Sequence, residues 1–295
     1  MVKTLGIILA AGKSSRLYPA TFVSSKQTLP IYDKPLIYYP LSTLMLAGIR
    51  DFVVITNPSE LQTFQNLFKN CENEMGIRIR YGVQEKPKGI ADAFNVTMGV
   101  LSGAIHDYDR IALILGDNIF YGAGLTEMLV DANASEKAVI FASHVADPER
   151  FGVVELDGDD VVSLIEKPEV PPSNLAVAGM YFYPKDVFEK VYKLYPSVRG
   201  ELEITDLNIV YMNENNLSAK RMHRGMVWFD TGTPDSMMEA ASFVHMIQKH
   251  QNTIVGSPHE VGYRNGWVSK NQLENIANIC GKTNYGKYLL GLEKL

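Results

Sequence analysis

Cysteine is nearly absent: Cys71 and Cys280 are the only two in 295 residues. They lie far apart and match no zinc-ligand spacing, so neither a disulfide framework nor a structural zinc site organises the chain, and two lone thiols suit a reducing cytosol. Long hydrophobic runs are missing as well. The longest are of strand length, so no segment is expected to span a membrane. The N-terminus, MVKTLGIILAAG, passes straight into a strand pattern without the longer apolar core and cleavage site of a secretory signal, and a cytoplasmic location is expected. There is no excess of positive charge; the net charge of −5 argues against a nucleic-acid partner. Any phosphate ligand must then be held by local cations, not by the overall field. No Pro/Gly/Ser-rich linker and no low-complexity tract divides the chain. Motifs are missing too: there is no G-x-G-x-x-G, no serine triad and no nucleophilic-cysteine setting. His106, His144, His223, His245, His250 and His259 are scattered without a partner pattern.

What is present is an alternation of strand and helix signals. Leu5 to Ala10 is an apolar run too short for a helix and suited to a buried parallel strand. Leu41, Leu44 and Met45 recur at helical spacing up to Gly48, and Phe52 to Thr56 is a second strand. A helix over Leu61 to Phe68, a strand over Ile77 to Val83, a helix reaching Leu101, and strands at Ile111 to Leu115 and Val139 to Ser143 follow. The alternation predicts an α/β fold: a Rossmann-like, mixed and mostly parallel sheet with helices on both faces. Beyond about residue 145 the pattern changes to a hairpin (Phe151 to Leu156, Val161 to Ile165), a strand over Asn174 to Tyr183, and helices over Asp186 to Leu194 and Glu201 to Asn213. One strand is read over Ala219 to Phe229, ending at Asp230. Pro234 to His250 is a long helix with Thr233 at its N-cap. The expected organisation is a catalytic domain over residues 1–250, with substrate-side β insertions at about 145–225, and a C-terminal helical appendage over 251–295.

The first strand runs into small residues, Ala11, Gly12, Ser14 and Ser15, which let phosphate oxygens approach backbone N–H groups. Arg16 and Lys26 add two cations, and Pro19 and Pro30 stiffen the loop. An ordinary strand–helix turn with surface cations is the bland alternative. Asp117 and Asp230 each end an apolar strand, where a carboxylate meets the ligand crevice of an α/β sheet. Together they could hold one Mg²⁺ whose shell is completed by water and phosphate oxygens, or each could merely cap a loop. Glu166 and Lys167 follow the hairpin, as a functional or a solvated pair. Gln27 and Gln84 can donate and accept at once, which suits the edge of a pyrimidine, and Gly89, after Pro87, allows a close backbone approach to a base.

These stretches carry a resemblance. LAAGKSSRLYPAT, KQTLPIYDKPLIYYPLSTLMLAGI, LGDNIFYG, DPERFGVVE, EKP, RGELEITDLN and WFDTGT occur in that order across almost the whole chain. In them the sequence closely resembles the sugar-1-phosphate nucleotidylyltransferases. The resemblance implies thymidylyl transfer from dTTP to α-D-glucose 1-phosphate with release of pyrophosphate, for deoxysugar and surface-polysaccharide synthesis. A UTP-dependent or other-sugar relative and a catalytically silent nucleotide-sugar sensor are the alternatives. It implies Mg²⁺ on Asp117 and Asp230, and Arg16, Lys26 and Lys167 as the catalytic cations. It implies Ala11, Gly12, Ser14, Ser15, Gln27, Gln84, Pro87 and Gly89 around the nucleotide, and Gly152, Glu166, Lys167, Gly179, Tyr181 and Arg199 around the sugar phosphate. It also implies a homotetramer with a second, regulatory nucleotide site for dTDP-rhamnose formed by Tyr121, Gly122, Arg224, Glu260 and Arg264. The chain departs from the family pattern at Ala11 and Ser14, where glycines are usual, at Ser15, where threonine is, and at Ser143 and Phe151, where tyrosines often stand.

Overall fold

The computed structural model describes residues 2–158 and 160–292, so residues 293–295 of the expected appendage lie outside the described residues. Its strands are β1 (Thr4–Ala10), β2 (Pro30–Ile31), β3 (Lys34–Pro35), β4 (Asp51–Thr56), β5 (Arg78–Val83), β6 (Arg110–Leu115), β7 (Asn118–Tyr121), β8 (Ala138–His144), β9 (Gly152–Asp157), β10 (Asp160–Glu166), β11 (Leu175–Pro184), β12 (Leu217–Arg221) and β13 (Val227–Asp230). The helices are α1 (Tyr38–Leu46), α2 (Leu61–Leu67), α3 (Cys71–Met75), α4 (Asp92–Leu101), α5 (Leu125–Ala134), α6 (Val187–Tyr192), α7 (Ile204–Asn213), α8 (Pro234–Gln251), α9 (Pro258–Arg264), α10 (Lys270–Cys280) and α11 (Asn284–Leu290).

β1 lies inside the sheet, parallel to β4 on one side and β6 on the other, and β5 continues beyond β4. Buried on both faces, it has the near-continuous apolar sequence such a position needs. Its side chains alternate with period two. Leu5 and Ile7 face a core with Phe94 of α4, Phe188 of α6 and Leu207 and Tyr211 of α7. Ile8 and Ala10 face the other core, with Leu41 and Leu44 of α1, Phe64 of α2 and Leu129 of α5. Helices therefore cover both faces, as the alternation predicts. The ten-residue β11 makes the sheet mixed, running antiparallel to β6, β8 and β9, with β12 parallel to β8 at the edge.

Two sequence expectations differ from the structure. Residues 201–203 are not helical, Glu203 being extended, and α7 begins only at Ile204. The strand expected over Ala219 to Phe229 is two strands separated by a turn, in which Met226 N–H donates to the His223 carbonyl at 3.0 Å. β12 stays with the main sheet, whereas β13 departs and pairs antiparallel with β7, Asp230 opposite Asn118. This departure carries Asp230 to the end of β6, where Asp117 stands. α8 starts as expected: Thr233 caps it and Ser236 returns the bond, with Pro234 in the first turn. Helices α9–α11 share a small core of their own, including Tyr263, Leu273, Ile276 and Leu289. They meet the rest of the chain at α1 and α3, where Arg50 lies 5.2 Å over the Trp267 ring. Beside them the Tyr285 hydroxyl lies 2.8 Å from both Ser257 Oγ and His259 Nδ1.

Candidate active site

A cavity of about 620 Å³ opens at the C-terminal ends of β1 and β6. Ala11, Gly12, Lys13, Ser14, Ser15 and Arg16 form one wall. Ser14, at a position where the family pattern has glycine, adopts the left-handed conformation (φ 51°), and its hydroxyl donates to the Gly12 carbonyl at 3.3 Å. A single 3₁₀ turn, Ser15–Leu17, then aims Arg16 at the cavity while Leu17 is buried beneath. A second such turn, Lys26–Thr28, is capped by the Ser25 hydroxyl, which accepts from the Gln27 N–H. It presents Lys26 to the same space.

The two aspartates meet there. Asp117 Oδ2 is paired with Lys26 Nζ, and Oδ1 accepts from Asn118 Nδ2 at 3.0 Å. The Asp117 carbonyl accepts from the Thr231 N–H at 3.1 Å and the Thr231 hydroxyl at 2.8 Å, so the two strand ends are stitched together. Burial, and then the charge of Asp117, push Asp230 above the usual carboxylate range, against the pull of Lys26, Arg150 and Arg16. Two carboxylates, open to a cavity lined by several cations, form a hard-oxygen donor set. That set fits a divalent cation whose remaining ligands come from phosphate and water.

Across the cavity, the residues expected around the sugar phosphate form a network. Glu166 Oε2 accepts from the Thr205 hydroxyl at 2.6 Å, and Oε1 from Lys167 at 3.0 Å and Arg199 at 3.5 Å. Burial alone would raise the Glu166 carboxyl, but Thr205, Lys167 and Arg199 together outweigh it and hold the group below its ordinary value. Arg199 also grips Glu203 with two nitrogens, at 2.8 and 3.1 Å. Lys167 stands at φ 44°, its N–H bonded to the Phe151 carbonyl, so the backbone aims its ammonium. Gly179 sits where β11 shifts register; a Cβ there would lie 2.5 Å from Asn118 Oδ1, which instead accepts from the Gly179 N–H at 3.2 Å. Gly152 and Tyr181 line the same wall. Burial, and then Glu166, raise the Tyr181 hydroxyl well above its ordinary value, so it stays neutral.

Of the residues expected around the nucleotide, Gln84 and Pro87 line the cavity, and Gln84 Nε2 donates to Asp92 at 2.8 Å, which fixes the amide's orientation. Gln27, in contrast, is buried behind the wall with its amide oxygen on the Ser25 hydroxyl. It supports the Lys26 turn instead of facing the open space. Gly89 lines the cavity at φ +94°, and its Cα is packed against the Leu202 backbone, not turned toward open space. The residues expected at a regulatory site fall on different elements. Tyr121 and Gly122 lie at the end of β7, with Tyr121 bonded to Gln251 of α8 at 2.6 Å, and Arg224 is in the β12–β13 turn. Glu260 and Arg264 pair with each other along α9 at 2.7 Å, and Tyr288 adds a bond to Glu260.

Several cavity residues went unread in the sequence: Lys13, Asn118, Arg150, Glu203, Thr205 and Trp228. Asn118 is the most connected of them. It is buried, binds Asp117 and Gly179, and accepts from Trp228 Nε1 at 2.6 Å. The signal was its place directly after Asp117. Phe151, where the family pattern often has tyrosine, packs edge-on against Trp228 at 5.2 Å.

A phosphate-sized loop, a carboxylate pair and facing cations at strand ends define a phosphoryl-handling α/β enzyme, and residues 5–246 match the model of the nucleotidyl transferase family. The chain belongs to that family. More particularly, it is 48% identical over 291 residues to a glucose-1-phosphate thymidylyltransferase of Neisseria meningitidis, covering 98% of this chain and 99% of the relative. It is 47% identical over 289 residues to that of Mycobacterium tuberculosis, covering 97% and 98%. A Bacillus anthracis crystal structure assigned as a glucose-1-phosphate thymidylyltransferase superposes with a TM-score of 0.72 at 37% identity, over 81% of this chain and 94% of that one. UDP-glucose pyrophosphorylase complexed with UDP-glucose superposes with a TM-score of 0.70 at 25% identity, over 83% and 99%.

Proposed function

We propose that this protein transfers the thymidylyl group of dTTP to α-D-glucose 1-phosphate, giving dTDP-glucose and pyrophosphate. The observation that carries the reading is the convergence of Arg16, Lys26, Lys167 and the Asp117–Asp230 pair on one cavity. A binding module for nucleotide sugars has no need of all five. The sugar phosphate is already an anionic nucleophile, so no general base is required. The work lies in bringing two polyanions together and aligning them at the α-phosphorus. Lys167 and Arg199 hold the sugar phosphate, and Glu166 accepts from sugar hydroxyls, since its acceptor capacity is kept ionised by its neighbours. Lys26 and Arg16 offset the charge of the α-phosphate and of the leaving group. Asp117 and Asp230 would hold Mg²⁺, which when bound supplies Lewis-acid stabilisation of the phosphate oxygens. Gln84 and the backbone at Gly89 orient the base.

The assay is pyrophosphate release across a matrix of nucleoside triphosphates and sugar 1-phosphates, with dTTP and glucose 1-phosphate expected to give the highest kcat/KM. A higher value with UTP would favour a uridylyltransferase, the reading supported by the likeness to UDP-glucose pyrophosphorylase. No turnover with any pair would leave the sensor reading. We further infer a homotetramer in which residues 1–250 carry catalysis and the appendage over 251–295 carries regulatory contacts. Tyr121, Gly122, Arg224, Glu260 and Arg264 are its candidate ligands for dTDP-rhamnose.

A further inference from the structure

A second cavity, of about 640 Å³, lies against the start of α8 and shares Arg16, Arg150, Phe151, Trp228 and Asp230 with the first. Those five residues line the boundary between the two. We propose that Arg150, at this divide, is a further catalytic residue that binds the departing pyrophosphate together with Arg16. The proposal rests on the transfer reading above.

Lys167 and Arg199 pair with Glu166 and Glu203, Lys26 pairs with Asp117, and Lys13 lines only the first cavity. Arg150 lines the second cavity, which Lys26, Lys167 and Arg199 do not. Its guanidinium lies 5.3 Å over the Phe151 ring and holds Asp147 at 2.5 Å, the two side chains being 49% and 43% exposed. An exposed pair of this kind holds weakly and can be surrendered to a stronger anion. Arg150, Arg16 and Asp230 all line both cavities.

The chemistry calls for a cation there. As the sugar phosphate oxygen bonds to the α-phosphorus, the bond from that phosphorus to the α–β bridging oxygen breaks. Its electron pair stays on the bridging oxygen, which leaves with the β-phosphoryl group, and pyrophosphate departs carrying one more negative charge. A planar guanidinium can grip two of its oxygens at once. Asp235 and Glu239 line the second cavity beyond the divide and repel an anion from going deeper.

The test uses the full-length protein in the reverse direction, with dTDP-glucose and magnesium pyrophosphate as substrates. Arg150→Gln should raise KM for pyrophosphate at least about tenfold, the loss of one charge-assisted contact, and leave KM for dTDP-glucose within about twofold. Arg150→Lys should recover part of the loss. An unchanged pyrophosphate KM, an equal rise in both KM values, or no recovery with lysine would overturn the assignment. If wild type converts no nucleotide sugar, the transfer reading itself has failed. Calorimetric titration of magnesium pyrophosphate into wild type and Arg150→Gln then judges the arginine separately: weaker binding by the variant supports it, and equal binding refutes it.

Discussion

Gly89→Ala is expected to damage the sugar phosphate site, although the sequence places Gly89 with the base. A Cβ at Gly89 would lie 2.2 Å from the Leu202 carbonyl oxygen and 2.6 Å from its nitrogen, both backbone atoms that cannot swing aside. The two segments are also bonded, Leu202 N–H to the Lys88 carbonyl at 2.7 Å and Ala91 N–H to the Leu202 carbonyl at 3.2 Å. An alanine at φ +94° costs about 1–2 kcal/mol for the left-handed backbone. Overpacking against rigid neighbours adds about 1–3 kcal/mol. A total of about 3 kcal/mol, set against an unfolding entropy of about 0.6 kcal/mol/K for a chain of this length, lowers Tm by about 5 °C. The displaced Leu202 lies between Arg199 and Glu203, so the ion pair proposed to support the sugar phosphate moves with it. KM for the sugar 1-phosphate should therefore rise more than KM for the nucleotide. Differential scanning fluorimetry and two-substrate kinetics check both parts. A variant with wild-type Tm, or one in which only the nucleotide KM rises, would refute the coupling.

Asp117→Asn and Asp230→Asn should each cut kcat by orders of magnitude while circular dichroism stays unchanged; near-normal turnover in Mg²⁺ by both would remove the metal assignment. Lys167→Ala should raise KM for the sugar 1-phosphate far more than that for the nucleotide if, as proposed, the ammonium pairs with that phosphate; equal effects in steady-state kinetics would place it elsewhere. Glu166 is held below its ordinary value of 4.5, so its ionised form stabilises the fold above that pH, and the contribution is lost as pH falls through the lower folded value. Glu166→Gln should accordingly lower Tm at pH 7, with the gap to wild type closing as pH falls below 4.5 and through the lower folded value; a gap that is the same at both ends of a pH series contradicts the network. An Arg224→Ala, Arg264→Ala double variant should keep its catalytic constants and lose inhibition by dTDP-rhamnose; competitive inhibition that survives would confine that product to the active site.

How far the site could be read from the chain depended on how local each cause is. The β1 strand and its small-residue loop were legible because burial on two faces demands a continuous apolar run, and a phosphate cradle demands small side chains directly after it. Asp117 and Asp230 were legible because each interrupts an apolar strand at its end. Their meeting was not, because it requires the chain to break at residues 222–226 and send β13 to β7, and nothing in the periodicity of Ala219 to Phe229 marks that turn. Lys26 reaches Asp117 across 91 positions, and Thr205 reaches Glu166 across 39. Such pairs are set by topology, to which local patterns are blind. Gln27 is a different case: an amide beside a lysine suits a ligand role, whereas in the structure it is buried and its oxygen is already satisfied by the Ser25 hydroxyl two residues away. Gly89 combines both. Its freedom of φ was visible in its residue type, but the neighbour that requires a missing Cβ was Leu202, 113 positions away. The same glycine can thus serve the base through its backbone and the sugar side through its packing. A change at one substrate site should then be felt at the other, with no ligand passing between them.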